Sequence, residues 1–220
     1  MTMHLQKAIE SLKKQILNLG KMVEQNVHKA LQSVETSNVA LAQEVIDGDT
    51  EVDLVEVEVE EECLKILALH QPVATDLRFI VAVLKINNDL ERIGDLAVNI
   101  ASRARKLGAL TIPAHTSIDF QGAESKIRDM LRKSLEALVN LDEDLAKWVW
   151  SADSQVDDIN RSVHQQVIKA IREHPEDVER LILLLSVSRN LERIGDHSTN
   201  IAEDILYMIR GEIVRHSKVD

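Results

Sequence analysis

The sequence predicts an all-α protein made of two tandem, pseudo-symmetric three-helix bundles. Three observations lead there. Helix breakers are scarce, with three prolines and seven glycines in 220 residues. Apolar residues recur at spacings of three and four along most of the chain. A long segment also occurs twice. Leu, Ile, Val, Ala, Glu, Lys and Gln dominate the remainder, which favours long helices over strands.

The first helix is expected from about Met3 to Asp47, carrying Leu5, Ile9, Leu12, Ile16, Leu19, Val23, Val27, Ala30 and Val34 on one face. Asp47-Gly48-Asp49 supplies turn residues and a capping carboxylate. Val52, Val55, Val59, Cys63, Ile66 and Leu67 then follow helical spacing again. Here Val-Asp-Leu-Val-Glu-Val-Glu-Val alternates as a strand would, but the longer window favours a second helix. A third helix runs from Pro72, tolerated in a first turn, to about Lys106, with Gly108 closing it and Arg103, Arg105 and Lys106 near its negative end. The first repeat thus occupies residues 1–108, and residues 109–116, with Pro113, read as a linker. The second repeat, 117–220, follows the same plan: a helix from about Ser117 to Trp150, a turn at Ser151 to Asp153, a helix to about His174, and one begun by Pro175 and ending near Arg210.

The duplication is visible residue by residue. The stretch Asn88–Ala101 aligns with Arg189–Ala202 at an offset of 101, and nine of the 14 positions are identical, including Leu-Glu-Arg-Ile-Gly-Asp. Asp49-x-x-x-Asp53 matches Asp153-x-x-x-Asp157 at an offset of 104, so a three-residue difference falls between the two motifs.

The repeated acids are the candidate functional residues. An acidic pair at i and i+4 shares a helix face, and a lone pair arises readily by chance. Here Asp49/Asp53 and Glu91/Asp95 recur as Asp153/Asp157 and Glu192/Asp196, within apolar surroundings that recur as well. If helices two and three form an antiparallel hairpin turning near Gln71, the two pairs lie about 20 and 22 residues from the turn, a height difference of about 3 Å. The counts around Pro175 are about 20 and 19, so each half is expected to hold four neighbouring carboxylates. The stripe Leu77, Val81, Leu84, Asn88, Glu91, Asp95, Val98 and its counterpart Val178, Ile182, Leu185, Arg189, Glu192, Asp196, Thr199 suggest that the acids interrupt an inward-facing seam. Four grouped carboxylates repel unless protons, basic side chains or cations compensate. Bound metal is the economical resolution; solvated acids, or ion pairs with Arg92, Arg193, Arg78 or Arg189, are the alternative. Oxygen-only donors suit Mg²⁺, Mn²⁺, Ca²⁺ or iron and disfavour a thiolate zinc site. Gly94 and Gly195, in register within helices, suggest that another backbone or the cluster itself comes close. Asn99 and Asn200 are candidates for ligation or second-layer hydrogen bonding, with capping or core-edge roles equally open.

Charge and composition exclude several classes. A net charge of -11 disfavours nucleic acid and anionic membranes as partners. The single Cys63 forms no internal disulfide, no charged-then-apolar leader is seen, and no apolar run reaches the roughly 20 residues of a membrane span, so the cytoplasm is the expected compartment. The Glu-x-x-His pairs of ferritin-like di-iron proteins are missing, as are a phosphate-gripping loop and a nucleophile elbow, so no enzyme is expected. His197, one residue past Asp196, would point about 100° away and reads as a neighbour of the site. His70 and His174 read as helix-end residues, Cys63 as core, and Trp148 and Trp150 as residues buried between the halves.

At Glu-Arg-Ile-Gly-Asp and its repeat, preceded by Gln71-Pro-Val-Ala-Thr-Asp-Leu-Arg78, nearly the whole chain resembles the PhoU family of phosphate-signalling regulators. The second repeat departs at Asp177-Val-Glu179, where the first has Asp76-Leu-Arg78. The resemblance implies two PhoU-like bundles of six helices in all, with metal clusters at Asp49, Asp53, Glu91 and Asp95 and at Asp153, Asp157, Glu192 and Asp196. Multinuclear iron or zinc, or Mg²⁺ and Mn²⁺, are the metals it implies, with Arg78 beside Asn99 and Asn200 as candidate second-layer residues. It further implies a cytoplasmic negative regulator of high-affinity phosphate uptake and of the phosphate-starvation response. The partners it implies are the ATPase side of a phosphate ABC transporter and a membrane sensor histidine kinase, and a homodimer is expected. A carboxylate-bridged metalloenzyme acting on phosphate or oxygen chemistry, or a metal-free helical adaptor, are the competing classes.

Overall fold

A computed structural model describes residues 3–110, 117–120 and 122–211. Its regular structure is helical throughout: α1 (Met3–Glu35), α2 (Val39–His70), α3 (Ala74–Ala109), α4 (Ala123–Asn140), α5 (Glu143–Glu173), a 3-10 turn at Pro175–Asp177, and α6 (Val178–Arg210). Helices α1–α3 form one bundle and α4–α6 the other, and the buried apolar residues of both join in one continuous core.

Two expected turns move upstream. The chain reverses at residues 36–38 rather than at Asp47–Asp49, because Asn38 caps α2: its side chain accepts from the Leu41 N–H at 3.0 Å. Ser37, at φ 52°, supplies the left-handed step just before it. Gly48 lies inside α2 with nothing within 4 Å of where a Cβ would stand, so it forces no turn. In the second repeat the turn likewise falls before α5 rather than at 151–153. Asp142 accepts from the Asp144 and Leu145 N–H groups at 2.9 and 3.0 Å, and Leu141 takes φ 51°. Helix α4 is correspondingly shorter than expected, starting at Ala123 and ending at Asn140.

Helix α3 starts at Ala74, past Pro72, and runs through Gly108 instead of stopping there. A Cβ on Gly108 would meet Val39 Cγ2 at 2.6 Å and the Ser37 carbonyl oxygen at 3.3 Å, so this glycine admits the α1–α2 turn. Most of the expected linker, residues 111–116 with Pro113, lies outside the described residues. The three-residue offset change falls at the tips of the two hairpins. Gln71-Pro72-Val73 joins α2 to α3, whereas His174 alone separates α5 from its 3-10 turn. Trp148 is half exposed, stacked under the Lys133 ammonium at 3.3 Å from the ring centroid, instead of lying between the repeats. Cys63 is fully buried, as expected of a core residue.

Helices α3 and α6 make the most extensive contact and join the repeats. Their polar pairs run in opposite directions along the two helices, so the helices are antiparallel. Lys85 Nζ stands 2.9 Å from Asp204 Oδ1, His197 Nδ1 2.8 Å from Asp89 Oδ1, and Arg103 Nε donates to Ser186 Oγ at 3.2 Å. Adding the repeat offset of 101 turns Lys85 into Ser186 and Arg103 into Asp204, so the first and last pairs are one contact seen twice across a pseudo-two-fold axis.

Asp204 is only 2 % exposed, so its charge depends on the partners it finds inside the seam. Replacing Lys85 with Met keeps the stem and removes the ammonium; roughly 1–3 kcal/mol of stability should be lost. Urea unfolding should show a lower midpoint at an unchanged slope.

Candidate metal centre

The repeated acids are carried by the two hairpins. Asp49 and Asp53 lie on α2 and Glu91 and Asp95 on α3; Asp153 and Asp157 lie on α5 and Glu192 and Asp196 on α6. The apolar residues around them, Val52, Val59, Ile93 and Ala97 in one half and Val156, Val163, Ile194 and Ile201 in the other, are buried and fix the register of each hairpin. The acids stand at the margin of that contact rather than in an inward seam. Leu77, Asn88, Val178, Ile182, Arg189 and Asp196 of the two expected stripes are exposed, and the core faces of α3 and α6 are turned aside from them.

In the first half burial pushes the Asp49 carboxyl above its usual range, and the charges of Asp53 and Asp95 push it further. Glu91 is raised by burial first, then by Asp95, Glu56 and Asp53, while Arg92 opposes the rise. Asp49 and Glu91 thus each feel acids on both helices, as the hairpin requires. Arg92 is the local counter-charge, 3.4 Å from Glu91 Oε2 and 3.4 Å from Asp95 Oδ2. Glu56, outside the repeated pairs, belongs to the same edge. Its pKa is raised by burial, Glu60 and Asp53, and Asn87 Nδ2 donates to its Oε1 at 2.7 Å. The spacing of Asp49, Asp53, Glu56 and Glu60 would have identified it, since all four lie along one side of α2.

The second half shows the same causes at work. Burial, with Asp196, Asp157 and Glu203, raises the Asp153 carboxyl to about 6, against a lowering influence from the neighbouring Thr199 hydroxyl. Asp196 is raised by burial, Glu192 and Asp157, with His197 and Arg193 opposing. Asp153 Oδ1 is buried and has no hydrogen-bond partner among the described residues. It rests above Gly195, where a Cβ would stand 3.5 Å away, and Asp49 Oδ1 lies 3.8 Å from the same point on Gly94. The cluster therefore does approach both helical glycines.

Among the described residues no three His, Cys, Asp or Glu side chains close around a common point. The donor chemistry nevertheless fits a hard cation: the groups are carboxylates, they neighbour one another across two helices, and Asp153 Oδ1 makes no hydrogen bond among the described residues. Two candidate second-layer residues lie elsewhere. Asn200 donates to Asp89 Oδ1 at 3.3 Å across the α3–α6 seam, because its side chain faces the other repeat. Arg78 sits in the first turns of α3, with Nη2 3.4 Å from Thr75 Oγ1, several turns from Glu91. Asn99 is half-buried one turn beyond Asp95. Thr199 and Glu203 occupy the place foreseen for Asn200, and the i, i+4, i+7, i+11 ladder of Glu192, Asp196, Thr199 and Glu203 carried that signal.

The PhoU domain profile matches this chain twice, over residues 16–104 and 123–205. A phosphate-specific transport system accessory protein PhoU homolog of Aquifex aeolicus is 37 % identical over 217 residues, covering 99 % of this chain and 98 % of the relative. The phosphate-specific transport system accessory protein PhoU of Escherichia coli is 33 % identical over 209 residues, 94 % of this chain and 86 % of its own length. The crystal structure of PhoU from Pseudomonas aeruginosa superposes with a TM-score of 0.90 at 33 % identity, covering 94 % of this chain and 99 % of that one. These relatives are named as accessory proteins and not as enzymes.

Because the folded-state pKa of Asp153 lies above its ordinary value of 3.8, the proton is held more tightly when folded. The group then favours folding below about pH 4, and this contribution is lost as pH rises through about 6. At about 1.4 kcal/mol per unit the ceiling is about 3 kcal/mol, and partial solvent access brings the expected effect to about 1–2 kcal/mol. Metal-free Asp153→Asn should therefore be more stable than the parent at pH 8 and equal to it near pH 4, measured by urea unfolding across that range with chelator present.

Proposed function

This chain belongs to the PhoU family, and on that footing we propose that it is a metal-binding regulator of phosphate homeostasis, acting in the cytoplasm by protein-protein contact. The observation that carries the metal reading is the duplicated edge of four carboxylates, one of whose oxygens, Asp153 Oδ1, is buried without a partner. Asp49, Asp53, Glu91 and Asp95 would hold ions in the first half, and Asp153, Asp157, Glu192 and Asp196 in the second. Bound cations, whether iron, zinc, Mn²⁺ or Mg²⁺, would supply positive charge that offsets carboxylate repulsion across each hairpin.

What this chain's own residues do is then positional. Glu91 and Glu192, from the third helix of each repeat, draw toward the acids of the second helix and fix the angle of each hairpin. The α3–α6 seam carries that geometry between the repeats through Lys85–Asp204 and Asp89–His197. The outer surface, held in one arrangement, would dock on the ATPase side of a phosphate ABC transporter and on a membrane sensor histidine kinase, restraining phosphate uptake and the starvation response. A homodimer is the proposed functional unit. No helix among the described residues is long and apolar enough to cross a membrane, which agrees with action through such partners.

Elemental analysis of protein purified without a metal-affinity tag, together with repression of a phosphate-starvation reporter, tests this. The Glu91→Ala/Glu192→Ala double variant should bind metal at least about tenfold more weakly and release the reporter from repression at high phosphate. Metal affinity and repression both equal to the parent would leave a metal-free helical adaptor, with Arg92 as the counter-charge. Metal-dependent turnover of a phosphate ester by the parent would turn the reading toward a metalloenzyme.

A further inference from the structure

Helix α2 is apolar on two opposite sides. Val45, Val52, Val59, Cys63 and Ile66 face the core and are at most 1 % exposed. On the opposite side Leu54 is 62 %, Val57 47 % and Leu64 53 % exposed, and these positions share one outward stripe with Thr50, Glu61 and Ala68. From Thr50 to Ala68 the stripe runs about 27 Å.

The fold does not require it. At the repeat offset of 104 the core positions Val52, Val59, Cys63 and Ile66 become Val156, Val163, Val167 and Ala170, all apolar and buried. The outward positions Leu54, Val57, Glu61, Leu64 and Ala68 become Asp158, Arg161, Gln165, Ile168 and Arg172, with Arg161 and Asp158 ion-paired. The same architectural surface is thus largely polar in one copy and apolar in the other.

Charge narrows what covers it. Seven of the 13 residues from Thr50 to Glu62 are acidic, and no Lys, Arg or His occurs between Lys29 and Lys65. Glu56 and Glu60, outside the carboxylates proposed to hold metal, flank the stripe on one side, and Glu51 and Glu58 flank it on the other, where Glu62 is paired with Lys65 Nζ at 2.9 Å. A second copy of the same face, or an anionic membrane surface, would bring like charges together. We propose that the Leu54–Val57–Leu64 face of α2 docks a partner's amphipathic helix whose apolar stripe is bordered on both sides by Arg and Lys. Apolar contact supplies affinity, and the two acidic flanks select the partner and its orientation. This rests on the reading of the chain as a regulator that works by docking, and it assigns that docking a surface and a chemistry.

The test uses full-length protein and a synthetic amphipathic peptide of about five helical turns, with Leu along one stripe and Arg on either side. Fluorescence anisotropy should show binding that weakens with added salt and falls at least tenfold in Leu54→Gln/Val57→Gln/Leu64→Gln. Helix content of that variant by circular dichroism should match the parent, since all three side chains are exposed. Ile168→Gln, on the equivalent face of α5, should leave affinity unchanged. Equal affinity in the triple variant would overturn the proposal, as would equal binding of a peptide of the same composition in scrambled order. A lower mass of the triple variant by light scattering would also overturn it, by making the face a self-contact. Because the readout is peptide affinity, failure here leaves reporter repression, which reads the regulatory function, intact and separately measurable.

Discussion

Everything of functional interest depends on the antiparallel pairing of α2 with α3 and of α5 with α6. A carboxylate pair at i and i+4 has no special property on an isolated helix, where water screens it. The hairpin changes that by setting two such pairs level, with a packed apolar contact beneath that withdraws solvent from their inner sides. Burial is accordingly the largest cause of the raised pKa at Asp49, Glu91, Asp153 and Asp196, ahead of any neighbouring charge. The glycines complete the arrangement. Gly94 and Gly195 leave room for Asp49 and Asp153 to lie close over the opposing helix, which a larger side chain would hold away.

The two halves are not equivalent, and the differences lie where symmetry does not have to be kept. Glu56 joins the first edge, whereas Asn160, its counterpart at the repeat offset, accepts instead from Ser188 Oγ at 2.8 Å. Glu203 joins the second edge, where the first has Ser102. Across the α3–α6 seam the pair Asp89–His197 has Asn190 and Leu96 as its symmetry mates, so one end of the seam carries this polar pair and the other does not. A buried polar pair gives little net stability but penalises misregistered packing, because a shift would strand its polar groups. An asymmetric seam thereby distinguishes the two ends of an interface that duplication made alike.

Much of this was legible in the sequence. Six helices, the two hairpins and the duplication all followed from apolar spacing and repeat offsets. The turns before α2 and α5 did not, for a physical reason: Ala42 and Val45 continue a helical apolar pattern across the break, while Asp47-Gly48-Asp49 carries turn-forming residues with no turn to make. The missed signal was the repeat itself, since Asn38 and Asp142, the two caps, stand at the same offset of 104 as Asp49 and Asp153. The sequence leaves Asn200 open between ligation, second-layer hydrogen bonding and a capping or core-edge role, because helical spacing gives a direction around the axis but not which neighbour fills it. The seam with the other repeat, invisible in either hairpin alone, took that side chain.

The apparent strand signal in α2 has the same origin as its outward face. Val52, Leu54, Val55, Val57 and Val59 alternate with acids because two apolar faces are interleaved on one helix, the inward one at Val52, Val55 and Val59 and the outward one at Leu54 and Val57. Residues of strand-like composition persist there because the inward contact with α3 stabilises the helix more than their weak helical preference opposes it. A second apolar face adds nothing to that contact, and α5 holds the same hairpin without one. Within a duplicated fold, a feature present in both copies answers to packing or to a chemistry both copies share, as the carboxylate edges do. A feature confined to one copy, at a position where the other is polar and equally well folded, owes its apolar character to something outside the chain.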